Sequence, residues 1–250
     1  MQESDKMNIG VIIQARMGST RLPGKVMREL FGKTVLGHVI ERVQQAKKIN
    51  AIIIATTADP CDDIIEEEAL KYCVSVFRGS EENVLERYYF AAKQNELDVV
   101  VRITSDCPLI DPHIIDQLIE VFIDNDFDLV SNSGTDYKKR TIPQGLDVEV
   151  FSIAALEEAY LNADQLYQRE HVTPYIYEHS QKCFFQREQV DHSKYRWTLD
   201  TQEDYLLIQE VYKRLYHQKH DFYLAELLKL FAEEPELLKI NRAIVQKKVK

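Results

Sequence analysis

From Asn8 onward, short apolar runs rich in β-branched residues alternate with longer segments whose apolar residues recur every three to four positions. That alternation predicts strands joined by crossover helices in a largely parallel sheet, an α/β fold. Residues 9–13 form the first strand. Thr34 can cap a helix that places Leu36, Val39, Ile40 and Val43 on one face. Residues 51–55 read as a buried strand, Asp59 and Pro60 as a cap with a first-turn proline, and Ile64, Ile65 and Leu70 as the apolar face of the next helix. The series continues with strand 74–77, helix 81–94 capped by Ser80, strand 98–103, helix 114–122 opened by Asp111 and Pro112, and strand 128–131.

The period then changes. Residues 131–145 are polar and rich in turn formers, with Lys138, Lys139 and Arg140 adjacent, and they precede an alternating stretch, 146–151, that predicts a half-buried strand. This region reads as an insertion over one end of the sheet. Helices follow near 153–163 and 169–179, a strand near 183–187, and a short strand at 195–199 ahead of C-terminal helices, one with Tyr205, Leu206, Ile208, Val211, Tyr212 and Leu215 facing the core. With no repeats and no low-complexity linker, the expectation is one domain over 1–250: a flexible arm at 1–7, an insertion or acceptor region at about 132–190, and a returning strand with helices at about 195–250.

Charge narrows the partners. The 250 residues carry 31 Lys and Arg against 41 Asp and Glu, a net −10, which argues against a nucleic-acid partner because phosphate-backbone affinity needs clustered cations. The sequence contains no apolar run long enough to span a membrane, and the polar N-terminal stretch is unlike a secretory signal, so a cytoplasmic protein is expected. Cys61, Cys73, Cys107 and Cys183 form no C-x-x-C pair and are expected to be reduced and mostly buried; Cys107 reads as packing rather than a nucleophile. His217 and His220, three apart, read as a solvated helix end.

One loop reverses the charge. Residues 14–25, directly after the first strand, carry Arg16, Arg21 and Lys25 and no acid. Ligands of open α/β sheets sit at the C-terminal ends of strands, where small residues and cations can cradle an anion such as a polyphosphate. The spacing is neither the dinucleotide G-x-G-x-x-G nor the P-loop pattern, and a solvated basic turn is the alternative. Asp106 leaves a later strand on the same side of the sheet, where a hard cation could bridge to phosphate. Asp147 and Glu149 share one face of a strand and could accept sugar hydroxyls or act as a base; a polar edge strand would present the same pattern. Thr201 and Asp204 fit a capping box.

The string Arg16-Met17-Gly18-Ser19-Thr20-Arg21-Leu22-Pro23-Gly24-Lys25 resembles the signature loop of the CTP-dependent sugar nucleotidyltransferases, the family of the CMP-Kdo and CMP-sialic acid synthetases and their relatives in spore coat polysaccharide synthesis. The resemblance extends over nearly the whole chain. It implies a Rossmann-like nucleotidyltransferase three-layer fold with a mostly parallel central sheet and a small insertion for acceptor binding and dimerisation. It also implies Mg²⁺-dependent transfer of CMP from CTP to a sugar acid or related acceptor, with release of pyrophosphate, by a homodimer. Carried over residue by residue, Arg16, Arg21 and Lys25 hold the triphosphate and act in catalysis. Ala15 and Arg16 lie where cytosine is read, Gly18 and Ser19 belong to the same nucleotide loop, and Asn83 and Arg87 face the nucleotide. Asp106, with Ser105 where the family has glycine, and Asp200 match the metal aspartates. Gln144, Asp147, Glu149, Arg169 and His171 fall near the acceptor. Two other readings compete: a nucleotide-sugar-dependent glycosyltransferase, and a non-catalytic nucleotide-binding module.

Overall fold

The computed structural model describes residues 7–134 and 139–244, so most of the expected N-terminal arm and Lys138 lie outside the described residues. The central strand is β1 (Ile9–Gln14), flanked in parallel by β4 (Ala51–Thr57) and β6 (Val99–Thr104). Its apolar residues run without interruption because both faces are covered: Val11 and Ile13 pack into one core cluster and Ile12 into another. Beyond β4 lies β5 (Ser75–Gly79); beyond β6 come β8 (Glu149–Ser152), β7 (Leu129–Ser131) and β9 (Cys183–Phe185), for a sheet order β5-β4-β1-β6-β8-β7-β9. Only β8 runs against the rest. Two short strands, β2 (Glu29–Leu30) and β3 (Lys33–Thr34), form a separate ribbon.

Helices cover both faces, which gives the expected three-layer α/β architecture. On the Val11 side lie α1 (Val35–Val43), α2 (Asp63–Lys71), α4 (Pro112–Ile123), α8 (Gln202–Leu215) and α9 (Leu224–Glu233); on the Ile12 side lie α3 (Val84–Gln94), α5 (Ile153–Asn162) and α7 (Pro174–His179), with α6 (Leu166–His171) leading into α7. Local chemistry starts them where it should. Thr34 accepts from the Gly37 amide, and Asp111, followed by Pro112, accepts from His113. Each such cap contributes about 1 kcal/mol.

Several expectations are corrected. The buried face of α2 is Ile65, Glu68 and Ala69, which lie three and four positions apart on one side of the helix, while Ile64 and Leu70 fall off that side and are exposed. In α8 Leu207 is buried and Leu206 exposed. The expected helix 169–179 is two helices: Val172 takes φ +73° and Pro174 opens the second, since a proline cannot continue the hydrogen bonding of a helix interior. Residues 195–199 form no sheet strand, only a bridge from Arg196 to Gln144. Region 132–190 does not stand outside the sheet; it supplies β8 to the interior and β9 to an edge, which is why 149–151 are buried rather than half-buried. Of the cysteines only Cys107 is buried, and Cys61 and Cys73 are exposed.

His220 is buried as well, not solvated. Its Nε2 lies 2.8 Å from His38 Nδ1 and its Nδ1 lies 3.2 Å from a Glu41 oxygen, under α1.

Candidate active site

The C-terminal ends of β1, β4 and β6 open onto one side of the sheet, and the basic loop crosses them. Its anchor is Asp62, fully enclosed, whose Oδ1 accepts the Met17 amide at 2.7 Å and whose Oδ2 accepts the Thr56 and Thr57 hydroxyls. Further along, Gly24 takes φ +65°, a left-handed conformation that favours glycine, and turns the chain into a short 3₁₀ turn that starts at Lys25. The Lys25 side chain thereby points across the strand ends rather than outward.

Its ammonium lies 2.7 Å from Asp106 Oδ2 and 2.8 Å from Asp200 Oδ1. Arg21 reaches the same Asp200 oxygen at 3.0 Å. The remaining carboxylate oxygens are also engaged: Asp106 Oδ1 accepts from the Thr104 hydroxyl at 2.6 Å, and Asp200 Oδ2 accepts from Arg196 at 2.9 Å. Arg196 is pinned by two bonds to Asp204, each 3.0 Å, and by Gln144. Asp204 caps α8, accepting the Asp200 and Thr201 amides, so the predicted capping box is present and also holds the arginine that holds Asp200.

The proximity of opposite charges decides the ionisation. Burial pushes the Asp106 carboxyl up, but Lys25 and the Thr104 hydroxyl outweigh it and hold the pKa at about 2. Burial likewise opposes charge on Lys25, and the two aspartates outweigh it, so the ammonium pKa is raised. Cys107, beside Asp106, has its thiol pushed well up by burial and by the adjacent carboxylate, which suits packing and not nucleophilic attack.

The other sequence-predicted residues divide. Ala15 is buried at the end of β1, Gly18 is exposed, Ser19 is half-buried, and Arg16 extends to an exposed pair with Glu81 at 3.1 Å. Asp147 lies before β8, not within it, so it does not share a strand face with Glu149 as expected; it pairs with Arg140 and its field reaches Cys107. Glu149 is buried and satisfied by Arg102 at 2.7 Å, Thr173 at 2.9 Å and Tyr177 at 3.0 Å, which leaves it no exposed face. Asn83, not Ser80, caps α3, and Arg87 is buried with its guanidinium on the Ser80 carbonyl, so both serve the helix start. Asn83 and Arg169 line one cavity of about 370 Å³ with Tyr160 and Leu161. Gln144 is bound to Arg196, and His171 stands in the last turn of α6. A second cavity, about 410 Å³ and lined by Lys194, Arg196, Phe231, Lys239 and Arg242, contains none of the predicted residues.

Asp62, Arg196 and Arg102 escaped the sequence reading. Asp62 stood inside a motif read only for its cap. Arg196 stood in the string 195–200, the expected short strand that leads to Asp200, and its opposite number Asp204 was visible only as a helix cap.

Gly145 fixes the approach of this string. It takes φ +99°, and a Cβ there would come within 2.7 Å of the Trp197 and Thr198 backbone, so the crossing that brings Arg196 and Asp200 beneath the strand ends requires glycine.

A family profile described as cytidylyltransferase matches residues 10–242. An uncharacterized protein of Methanocaldococcus jannaschii is 40% identical over 96% of this chain and 97% of its own length. The spore coat polysaccharide biosynthesis protein SpsF of Bacillus subtilis is 35% identical over 90% of this chain and 94% of its own. The solved structure of a cytidylyltransferase from Leptospira borgpetersenii, 37% identical, superposes with a TM-score of 0.88 over 96% of this chain and 100% of that one.

Proposed function

The chain belongs to the cytidylyltransferase family, and from that premise we propose that it transfers CMP from CTP to a sugar acid or related acceptor, releasing pyrophosphate, in the synthesis of a surface polysaccharide such as that of a spore coat. The observation that carries the site assignment is the convergence of Asp106 and Asp200 on the single ammonium of Lys25. Two carboxylates that already accommodate one cation at a shared point, with oxygen donors only, suit a hard divalent ion such as Mg²⁺. Asp106 and Asp200 would hold it, and when bound it would neutralise charge developing at the α-phosphate.

The chain's own residues account for the rest. Arg21 and Lys25, on the loop over the strand ends, take the triphosphate and stabilise the departing pyrophosphate, with Arg16 free to leave its exposed contact and join them. The cytosine lies against the Ala15–Arg16 backbone. Asp147, a third exposed beyond the strand end, faces the acceptor, while Glu149 acts from below by fixing Arg102, Thr173 and Tyr177. The acceptor hydroxyl then attacks the α-phosphorus in line with the leaving oxygen. The enzyme works in the cytoplasm as a homodimer, through the face where Leu161, Leu166 and Phe90 are exposed. No described helix is long and apolar enough to cross a membrane.

The test is pyrophosphate release from each of the four nucleoside triphosphates with Mg²⁺ and a panel of sugar acids and sugar phosphates. Release with CTP and one class of acceptor is expected. No release with any member, with Lys25→Ala indistinguishable from the unmodified protein, would overturn the assignment.

A further inference from the structure

We propose that Lys25 is a placeholder for the divalent ion: it sits on the metal carboxylates until a triphosphate draws it off, so that cation and CTP enter as a pair and neither binds well alone. The inference rests on the function proposed above and concerns how that site fills.

All four oxygens of Asp106 and Asp200 have partners. The two turned toward the shared point are held by Lys25, with Arg21 sharing the Asp200 oxygen. A small divalent ion needs those lone pairs at about 2.1 Å, inside the 2.7 and 2.8 Å at which the ammonium sits, so ammonium and metal exclude one another. The partners differ in their freedom to leave. Arg196 is buried and tied to Asp204 and Gln144, so it stays and keeps Asp200 oriented. Lys25, 12% exposed, and Arg21, 39% exposed, belong to the loop that follows β1 and, among the described residues, bond no side chain beyond these two carboxylates, so nothing else ties their side chains down. They are also two of the three cations assigned to the triphosphate.

Charge balance then couples the ligands. Before binding, Lys25, Arg21 and Arg196 face Asp106, Asp200 and Asp204, three cations on three carboxylates. A triphosphate that takes Lys25 and Arg21 leaves Arg196 alone against the three and Asp106 without a counter-ion in a partly buried site, at a cost that a divalent ion removes. A divalent ion arriving alone must displace an ammonium that has nowhere better to go. Each ligand therefore raises the affinity for the other, and by linkage the coupling is reciprocal.

Mn²⁺ alone, followed by the free-ion signal in electron paramagnetic resonance, reads the first half. Lys25→Met, which keeps the length and removes the charge, should bind Mn²⁺ at least about tenfold more tightly than the unmodified protein in the absence of nucleotide. Calorimetry of CTP binding in a chelator reads the second half. Asp106→Asn, although it removes a metal ligand, should bind metal-free CTP about fivefold more tightly, because Lys25 loses one of the two carboxylates that hold it. Equal Mn²⁺ affinity of Lys25→Met and the unmodified protein overturns the placeholder. Unchanged or weaker metal-free CTP binding by Asp106→Asn overturns it independently, should Lys25→Met fail to fold. If Mn²⁺ binds neither protein even with CTP present, the metal assignment of Asp106 and Asp200 falls, and this inference with it.

Discussion

Two clusters in this protein seat a lysine on carboxylate, and they differ in their surroundings. In one, Lys25 bridges Asp106 and Asp200 at the open ends of the strands. In the other, Lys33 holds both oxygens of Glu41, at 2.5 and 2.6 Å, while His220 and His38 continue the chain of contacts to the Leu30 carbonyl. The second cluster brings three potential metal ligands, His38, Glu41 and His220, within 4.8 Å of one another, and the first brings only two carboxylates. Counting ligands alone would choose the histidine cluster, against the proposed site. The histidine cluster is enclosed by Tyr212 and Tyr216, whose rings lie 4.6 and 5.0 Å from that of His38, and its ring nitrogens already face one another. The aspartate cluster lies under the basic loop at the open ends of the strands. What separates the two is access.

The contrast can be broken most severely at Arg196. Arg196→Met leaves Asp204 buried without its partner and should cost about 3–5 kcal/mol in urea unfolding, since removing one member of a buried pair strands the other. A loss below 1 kcal/mol would mean that Asp200 is oriented by something else. Next comes Lys25→Ala, expected to lower kcat/KM for pyrophosphate release by about 10²–10³, the scale seen when one preorganised charge is removed from a transition state. His38→Ala should do the reverse: about 2–3 kcal/mol less stability from a fully buried ring, with turnover per folded molecule unchanged. If it is turnover that falls, the two clusters are not separate in function.

Acid titration sharpens the comparison, because the clusters respond in different windows. Burial, reinforced by Arg42 and Lys33, lowers the pKa of His220 to about 3, and burial lowers that of His38 to about 4, from 6.5. As pH falls below 6.5 the unfolded chain takes up these protons first. The stability they contribute is therefore whole above 6.5 and lost toward pH 4, at up to about 1.4 kcal/mol per pH unit for each ring. The Asp106 contribution, with its pKa held at about 2 against 3.8, is whole above pH 3.8 and lost only as pH falls through 2. His38→Gln should flatten the slope between pH 6.5 and 4, and Asp106→Asn should leave it intact; the opposite pattern would reassign the acid limb. The smallest effect is at Asn83, where Asn83→Ala should cost about 1 kcal/mol as a lost helix cap and leave the affinity for CTP unchanged.

Much of this was legible in the chain. The alternation of apolar runs anticipated β1, β4, β5 and β6 and the helices between them, and the run from Arg16 to Lys25 located the loop and its family. The misses have physical causes. Asp147 and Glu149 are two apart, yet only Glu149 is in a strand, and nothing in their spacing shows that β8 enters the middle of the sheet and buries it. Ser80 was expected to cap α3 and Asn83 does so instead, since either side chain can accept from the first amides of a helix. His217 and His220 look alike in sequence, and only the packing of α1 against the C-terminal segment separates the exposed one from the buried one.

Periodicity, caps and the charge reversal of one loop are local properties, and the energies that enforce them act over a few residues, so the chain alone settled the α/β class and the place of the basic loop. The pairing of Lys25 with Asp106 and Asp200 spans 81 and 175 positions. It arises because parallel strands bring their ends to one side and because Gly145 admits the Asp200 string beneath them. Coulomb attraction acts through space rather than along the sequence, so tertiary structure decided which acids face which cations.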